Sequence, residues 1–225
     1  MAPDIAALRP ELERSAVDIP LALSVEQGDC LLGYLDMLQR WNQVYNLTAV
    51  REPAAMLRQH LVDCLAVLPP LRREWAARAS PQAPAIVDVG SGGGLPGVVL
   101  AALEPTWQVT CVDTVAKKAG FVRQVAAELR LANLQSAHAR VEALAPARPA
   151  DMVTSRAFAS LADFVTLTRH LLAPQGMWMA MKGAVPSDEL AALPPEVEVF
   201  HVEPLTVPGL DARRCLVWMR LKDNP

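Results

Sequence analysis

Clusters of metal-binding or disulfide-forming residues are missing from this chain. Its four cysteines, Cys30, Cys64, Cys111 and Cys215, are widely scattered, and its four histidines, His60, His138, His170 and His201, are isolated from one another. Without a close pair no disulfide framework is implied, and cysteines set in apolar patterns suit small buried hydrophobes of a reducing compartment. No spacing places two imidazoles on one helical face, so no metal site is expected and metal-dependent chemistry is set aside. No apolar run approaches the roughly 20 residues that span a bilayer, and Met1 to Leu8 lacks the basic start and apolar core of a leader. The sequence therefore predicts no membrane partner and a cytoplasmic location. Excess positive charge is missing as well: a net charge of −3 excludes a protein whose whole surface grips nucleic acid. Local basic clusters survive that exclusion, namely Lys117, Lys118 and Arg123, the pair Arg213 and Arg214, and Arg51 with Arg58, although each also suits a solvated face. No internal repeat or low-complexity segment interrupts the chain.

What is present supports a sizeable core. With 52% apolar residues in 225, the chain is expected to bury roughly 70% of its unfolded surface in one catalytic domain with an added segment. The first third reads as helical. Ser24-Val25-Glu26-Gln27 is a capping box, Leu31, Leu32, Leu35, Leu38, Val44 and Tyr45 recur at helical spacing, and a second stripe of Leu57, Leu61, Leu65 and Leu68 stops at Pro69-Pro70. Residues 76–84 read as a linker, so the division expected is an N-terminal helical segment over 1–80 packed on a catalytic domain over 81–225. From Ala85 onward, strands near 85–89, 108–112, 134–138, 151–155, 177–181, 196–202 and 214–221 alternate with helices near 96–103, 115–130, 160–173 and 187–192. That alternation predicts an α/β fold with a mostly parallel seven-stranded sheet. The last two strands are joined by too few residues for a parallel crossover, so they should form an antiparallel edge hairpin.

The run Ile86-Val87-Asp88-Val89-Gly90-Ser91-Gly92-Gly93-Gly94-Leu95-Pro96-Gly97 carries the chemistry. It reads as a buried strand, a turn without side chains where a ligand approaches the backbone, and a helix whose first turn suits Pro96. Gly92-x-Gly94-x-x-Gly97 matches a dinucleotide fingerprint, with Asp113 placed for ribose hydroxyls. The acid Asp88 ahead of three alternating glycines opposes a pyrophosphate and favours a cationic ligand such as S-adenosylmethionine; alternatively Asp88 only caps the turn. A nicotinamide oxidoreductase, a small-molecule methyltransferase and a non-catalytic RNA-binding module are the competing classes.

Further residues narrow the choice. Asn46-Leu47-Thr48-Ala49-Val50, His60-Leu61-Val62-Asp63-Cys64-Leu65, the glycine run, Val112-Asp113 with Lys117-Lys118, Arg140-Val141-Glu142, Thr154-Ser155-Arg156-Ala157 and Lys182-Gly183 follow one another in an ordered set. This set resembles the motif series of the bacterial 16S ribosomal RNA guanine-N7 methyltransferases, the glucose-inhibited division protein B family, over about residues 24 to 220. The resemblance implies a class I, Rossmann-like methyltransferase fold and S-adenosylmethionine as cofactor. It also implies methylation at N7 of a specific guanine, 527 in the usual numbering, with 16S ribosomal RNA or the small subunit as partner; a monomer is expected. Carried residue by residue, Gly90, Leu95, Val141, Glu142 and Arg156 align with cofactor-contacting positions; Gly92 lies in the same turn and Asp113 fits the ribose-binding acid. Val141 stands where the family usually has alanine and Cys64 where it usually has serine.

Each assignment has a plainer competitor. Arg156, just after a strand, sits where open sheets bind ligands, but also suits an exposed salt bridge. Glu142 alone suits surface charge. Arg156 and Lys182 are the basic side chains expected to read the O6 edge of guanine and position it, with no general base. His60 and Asp63, three apart on a helix, suit either substrate contact or an internal pair that docks the N-terminal helices; Asn46 is equally open.

Overall fold

Seven apolar runs pair into one sheet of order β3-β2-β1-β4-β5-β7-β6 in a computed structural model that describes residues 5–78 and 82–222. The division at residues 80 and 81 and the middle of the expected linker lie outside the described residues. Strands β1 (Ala85–Val89), β2 (Gln108–Asp113), β3 (Leu134–His138), β4 (Ala150–Arg156) and β5 (Leu172–Lys182) run parallel. Strand β7 (Arg214–Leu221) is antiparallel to both β5 and the edge strand β6 (Val197–Leu205), as the short final connection demands. Four consecutive residues of β1, Ile86 to Val89, are buried, because helices cover both faces of the sheet.

Helices α1 (Arg9–Asp18) and α2 (Val25–Tyr45) join α6 (Gly97–Leu103) and α7 (Ala116–Glu128) in the larger core on one face; α8 (Leu161–Thr168) packs on the other. The capping box at Ser24 forms as expected, with Ser24 Oγ accepting from Gln27 N and Gln27 Oε1 from Ser24 N. Leu31, Leu32, Leu35 and Leu38 are buried, whereas Val44 and Tyr45 are exposed: the last turn of α2 extends beyond the surface it covers. The stripe ends at buried Asn42, whose amide donates to Val50 O at 3.2 Å and accepts from Thr48 N at 2.9 Å, pinning the following loop.

At two junctions the chain divides into elements differently from the sequence reading. The helix carrying Leu57, Leu61 and Leu65 ends at Leu65, before the prolines, and Leu68, Pro69 and Pro70 instead open the next helix, α5 (Leu68–Ala76), in whose first turn a missing N–H costs nothing. The helix expected over 160–173 stops at Thr168, turns through Arg169–Leu171, and β5 begins at Leu172, five residues early. Buried Thr168 fixes that junction: its hydroxyl donates to Phe164 O and accepts from Trp178 Nε1 at 2.8 Å. Apolar residues continue through helix and strand alike, so their pattern does not mark the change.

Candidate functional site

Strands β1 and β4 lie side by side, yet α6 after β1 and α8 after β4 cover opposite faces, which makes their carboxyl ends the switch point where open sheets bind ligands. Two cavities adjoin there, of about 540 and 380 Å³, and both are walled by Gly90, Lys118 and Ala157. The larger receives Gly92, Leu95, Arg156 and Lys182; the smaller receives Asp113, Val141 and Glu142. Gly90, Gly92, Leu95, Asp113, Val141, Glu142, Arg156 and Lys182 thus each lie on one wall or the other, whereas Asp88 lies on neither.

The glycine turn is shaped by close approaches. At Gly90 (φ 65°) a Cβ would stand 2.9 Å from Phe158 Cδ2, whereas at Gly92 (φ 58°) it would meet nothing within 4 Å, because it would project into the larger cavity that Gly92 lines. Gly92 N donates to Asp113 Oδ2 at 3.0 Å, and Asp113 Oδ1 accepts from Val115 N at 2.8 Å, so this carboxylate ties the ends of β1 and β2 together. From the opposite side the buried Tyr34 hydroxyl of α2 donates to Gly93 O at 2.9 Å. Pro96 is the N-cap of α6, which begins at Gly97, one residue later than the sequence suggested.

Asp88 does not face a ligand. It is fully buried and lines neither cavity; its Oδ2 accepts from Gly97 N at 2.8 Å, the capping role, and lies 3.9 Å from Cys111 Sγ. The glycine at 97 lets the start of α6 approach this carboxylate so closely that a ligand cannot enter between them.

Arg156 is neither fully exposed nor free. It lines the larger cavity while Nη1 donates to Gln59 O at 2.9 Å and to Asp63 Oδ2 at 3.2 Å. Asp63, 3% exposed, also accepts from Arg214 Nε at 2.7 Å. Asp63 therefore docks the N-terminal helices onto β4 and β7 through two arginines and not through His60. The i, i+3 pairing fails because Leu57–Val62 is a π-helical turn, which shifts side chains out of α-helical phase. His60 instead shares a 2.8 Å hydrogen bond with Thr48 across the cavity wall. Lys182 Nζ is held by Glu189 at 2.7 and 3.0 Å, Glu142 lies 3.6 Å from Arg140, and Asn46 caps α2 in a left-handed conformation while accepting from Arg51 at 2.9 Å. Tyr34, Asn42, Glu189 and the role of Arg214 escape the sequence reading. Tyr34 alone left a signal, a hydroxyl within the buried stripe of α2. Among the described residues no group of three or more His, Cys, Asp or Glu is placed to hold a metal ion, and no helix is long and apolar enough to cross a membrane.

Burial gives two of these groups opposite pH responses. It pushes the Asp88 carboxyl from 3.8 up to about 7 against the lowering effect of the Gly97 hydrogen bond, so the stability it contributes is present at low pH and is lost as pH rises through 7. Burial, aided by the Arg156 charge, pushes the His60 imidazole from 6.5 down to about 4, so its contribution is present above 6.5 and is lost as pH falls through 4. The two slopes oppose each other between these limits. Asp88→Asn, which keeps an acceptor for Gly97 N, is expected to leave the His60 slope alone, so urea unfolding will show the variant gaining more stability than the wild type between pH 4 and 6.5. Parallel curves for both proteins would remove the buried proton from Asp88.

Comparison with known proteins fixes the family. The family model described as rRNA small subunit methyltransferase G (GidB) matches residues 27–217. The chain is 59% identical over 219 residues to the ribosomal RNA small subunit methyltransferase G of Methylibium petroleiphilum, covering 97% of each chain. It is 60% identical over 212 residues to that of Leptothrix cholodnii, covering 94% of this chain and 95% of the relative. Among solved structures, TrmN from Thermus thermophilus superposes with a TM-score of 0.54 at 20% identity, over 71% of this chain and 49% of that one. A putative methyltransferase from Thermoplasma acidophilum gives 0.50 at 12% identity, over 64% and 70%. These structural likenesses establish the class I methyltransferase fold, and the sequence matches establish more: the chain belongs to the rRNA small subunit methyltransferase G family.

Proposed function

We propose that this chain transfers the methyl group of S-adenosylmethionine to N7 of a guanine in 16S ribosomal RNA, guanine 527 in the usual numbering. It acts as a cytoplasmic monomer on the RNA or the small subunit. The observation that carries this reading is the pair of cavities meeting at Gly90 and Ala157, one walled by a ribose-type acid and apolar residues, the other by basic side chains. The turn fits the cofactor: a Cβ at Gly92 would fill open space that a close-lying ligand takes, and Asp113 keeps carboxylate lone pairs for ribose hydroxyls beyond the two main-chain bonds it accepts. When bound, S-adenosylmethionine supplies a methyl group on a positively charged sulfur. Val141 and Phe158 wall the smaller cavity for an adenine ring.

Guanine N7 carries an in-plane lone pair and no proton, so no side chain has to remove one. The residues orient the base and exclude water, and rate comes from alignment and from fixed donors. Arg156 and Lys182, held by Asp63 and Glu189, present such donors to the O6 edge. The base must leave its stack to enter, which favours an accessible loop in folded RNA.

Incubation with labelled S-adenosylmethionine and small subunits lacking the modification, followed by mapping of the labelled base, tests the reading. Label at N7 of one guanine is expected; label on another atom, or only on small molecules, overturns it. S-adenosylmethionine and its demethylated product should also raise the melting temperature while NAD does not, by about 2.7 kcal/mol of stabilisation at one hundred times the dissociation constant. Stabilisation by NAD alone would return the glycine turn to the dinucleotide class.

A further inference from the structure

Four cations line the larger cavity, Lys118, Arg156, Lys182 and Arg214, against the single carboxylate of Asp63. Two of them have counter-charges from outside the cavity: Lys182 is 2.7 Å from Glu189, and Lys118 is 4.0 Å from Asp113. Asp63 is then shared by both guanidiniums, Oδ2 with Arg156 and Oδ1 with Arg214, so one positive charge is left over in a half-buried place. Neither ligand of the proposed reaction accounts for it. Guanine is neutral, and the cofactor's ammonium and sulfonium outweigh its carboxylate. An RNA backbone carries one negative charge per phosphodiester, which is the charge and the acceptor chemistry that is missing.

Geometry distinguishes the two arginines. Arg156 ends β4, next to β1 and its glycine turn, whereas Arg214 starts β7, three strands from β1 in the order β1-β4-β5-β7. At strand spacings of roughly 4.8 Å the main chain of Arg214 is about 14 Å from β1, so that its guanidinium reaches Asp63 from the side of the cavity away from the turn, whereas Arg156 reaches it from the strand beside the turn. Because β7 runs antiparallel, its first residue is brought to the rim formed by the carboxyl ends of the parallel strands, with Cys215 opposite Lys182. Arg214 is 26% exposed there and uses Nε for Asp63 and one Nη1 hydrogen for Arg213 O. Three of its five N–H donors have no partner among the described residues.

Resting on the methyltransferase reading above, we infer that Arg214 binds a backbone phosphate of the RNA strand that carries the target base, its guanidinium aimed by Asp63. The phosphate sits at the mouth of the cavity and the base inside it, so Arg214 fixes how deeply the extruded nucleotide enters.

The test is filter binding of 16S ribosomal RNA from unmodified small subunits over a series of salt concentrations, with S-adenosylmethionine affinity measured separately by calorimetry. Arg214→Ala is expected to weaken RNA binding and to flatten the slope of log affinity against log salt by about 0.7 to 0.9, the value of one phosphate contact. Cofactor affinity should be unchanged. Arg214→Lys, which keeps the charge but not the fork, should keep the slope and bind less tightly. Should Arg214→Ala not fold, Arg214→Gln, which retains a donor for Asp63, gives the same comparison. An unaltered slope in the uncharged variant overturns the inference, as does lost cofactor affinity with an unaltered slope, which would assign the arginine to the cofactor's carboxylate. Absence of methyl transfer by the wild type would instead defeat the functional reading, since the salt slope is read without turnover.

Discussion

Gly92→Val is expected to abolish S-adenosylmethionine binding, lowering affinity by at least about a hundredfold (~2.7 kcal/mol) in calorimetry, while the melting curve stays cooperative. Two effects act together. The residue holds φ at 58°, where a β-branched side chain costs on the order of 1–3 kcal/mol, and its Cβ projects into the larger cavity with nothing within 4 Å to clash with. The fold therefore tolerates the added atoms in space that the ligand needs. The bond from Gly92 N to Asp113 Oδ2 links the same turn to the acid proposed to hold the ribose, so a shift of the turn disturbs both cavities. Gly92→Ala adds a single methyl group and should lose affinity by about tenfold, between the wild type and valine. Wild-type affinity in Gly92→Val would mean that the ligand does not lie against this turn.

The elements that carry this argument were legible because their patterns are local. Ile86-Val87 and the largely apolar Val109-Thr110-Cys111-Val112 are short runs of strand character, the glycines follow the first of them, and the short link before β7 forces an antiparallel pair; periodicity and spacing are enough to place all three. What could not be read depends on pairings over long sequence separations. Asp63 and Arg214 are 151 residues apart, and Tyr34 and Gly93 are 59 apart. No spacing rule connects such residues, and the π-helical turn removed the one local rule that applied to His60 and Asp63. Asp88 is ambiguous in the sequence for a different reason. An acid at a strand end is compatible with a ligand or with a cap, and only the approach of Gly97 decides which. Lys182 and Arg156 lay where the strand ends predicted, but their carboxylate partners, one on a helix after β5 and one before the sheet begins, were invisible in the residue types alone.

Arg156→Ala is expected to reduce single-turnover methylation of ribosomal RNA by about a hundredfold to a thousandfold, the usual effect of losing one fixed donor to a transition state. The structure adds a stability cost that the sequence did not suggest. Arg156 holds Asp63 at 3.2 Å and Gln59 O at 2.9 Å, and Asp63 is almost fully buried. Removing one partner from a fully buried ion pair costs about 3–5 kcal/mol, but here Arg156 is about a quarter exposed and Arg214 still binds the other oxygen. Roughly 1–2 kcal/mol is the consistent figure, which in a chain of this size lowers the melting temperature by about 2 to 8 °C. A protein of ordinary stability survives that loss, so a temperature at which the variant is fully folded can be chosen and the rate compared there. Arg156→Lys restores the charge beside Asp63 and most of the stability, yet recovers only part of the rate, because an ammonium cannot serve the carboxylate and the base edge together in one plane. That split between stability and turnover is the decisive readout. If lysine restores both, or if alanine lowers the melting temperature and leaves turnover near normal, Arg156 is a clamp between β4 and the N-terminal helices, and Lys182 becomes the donor that faces the guanine.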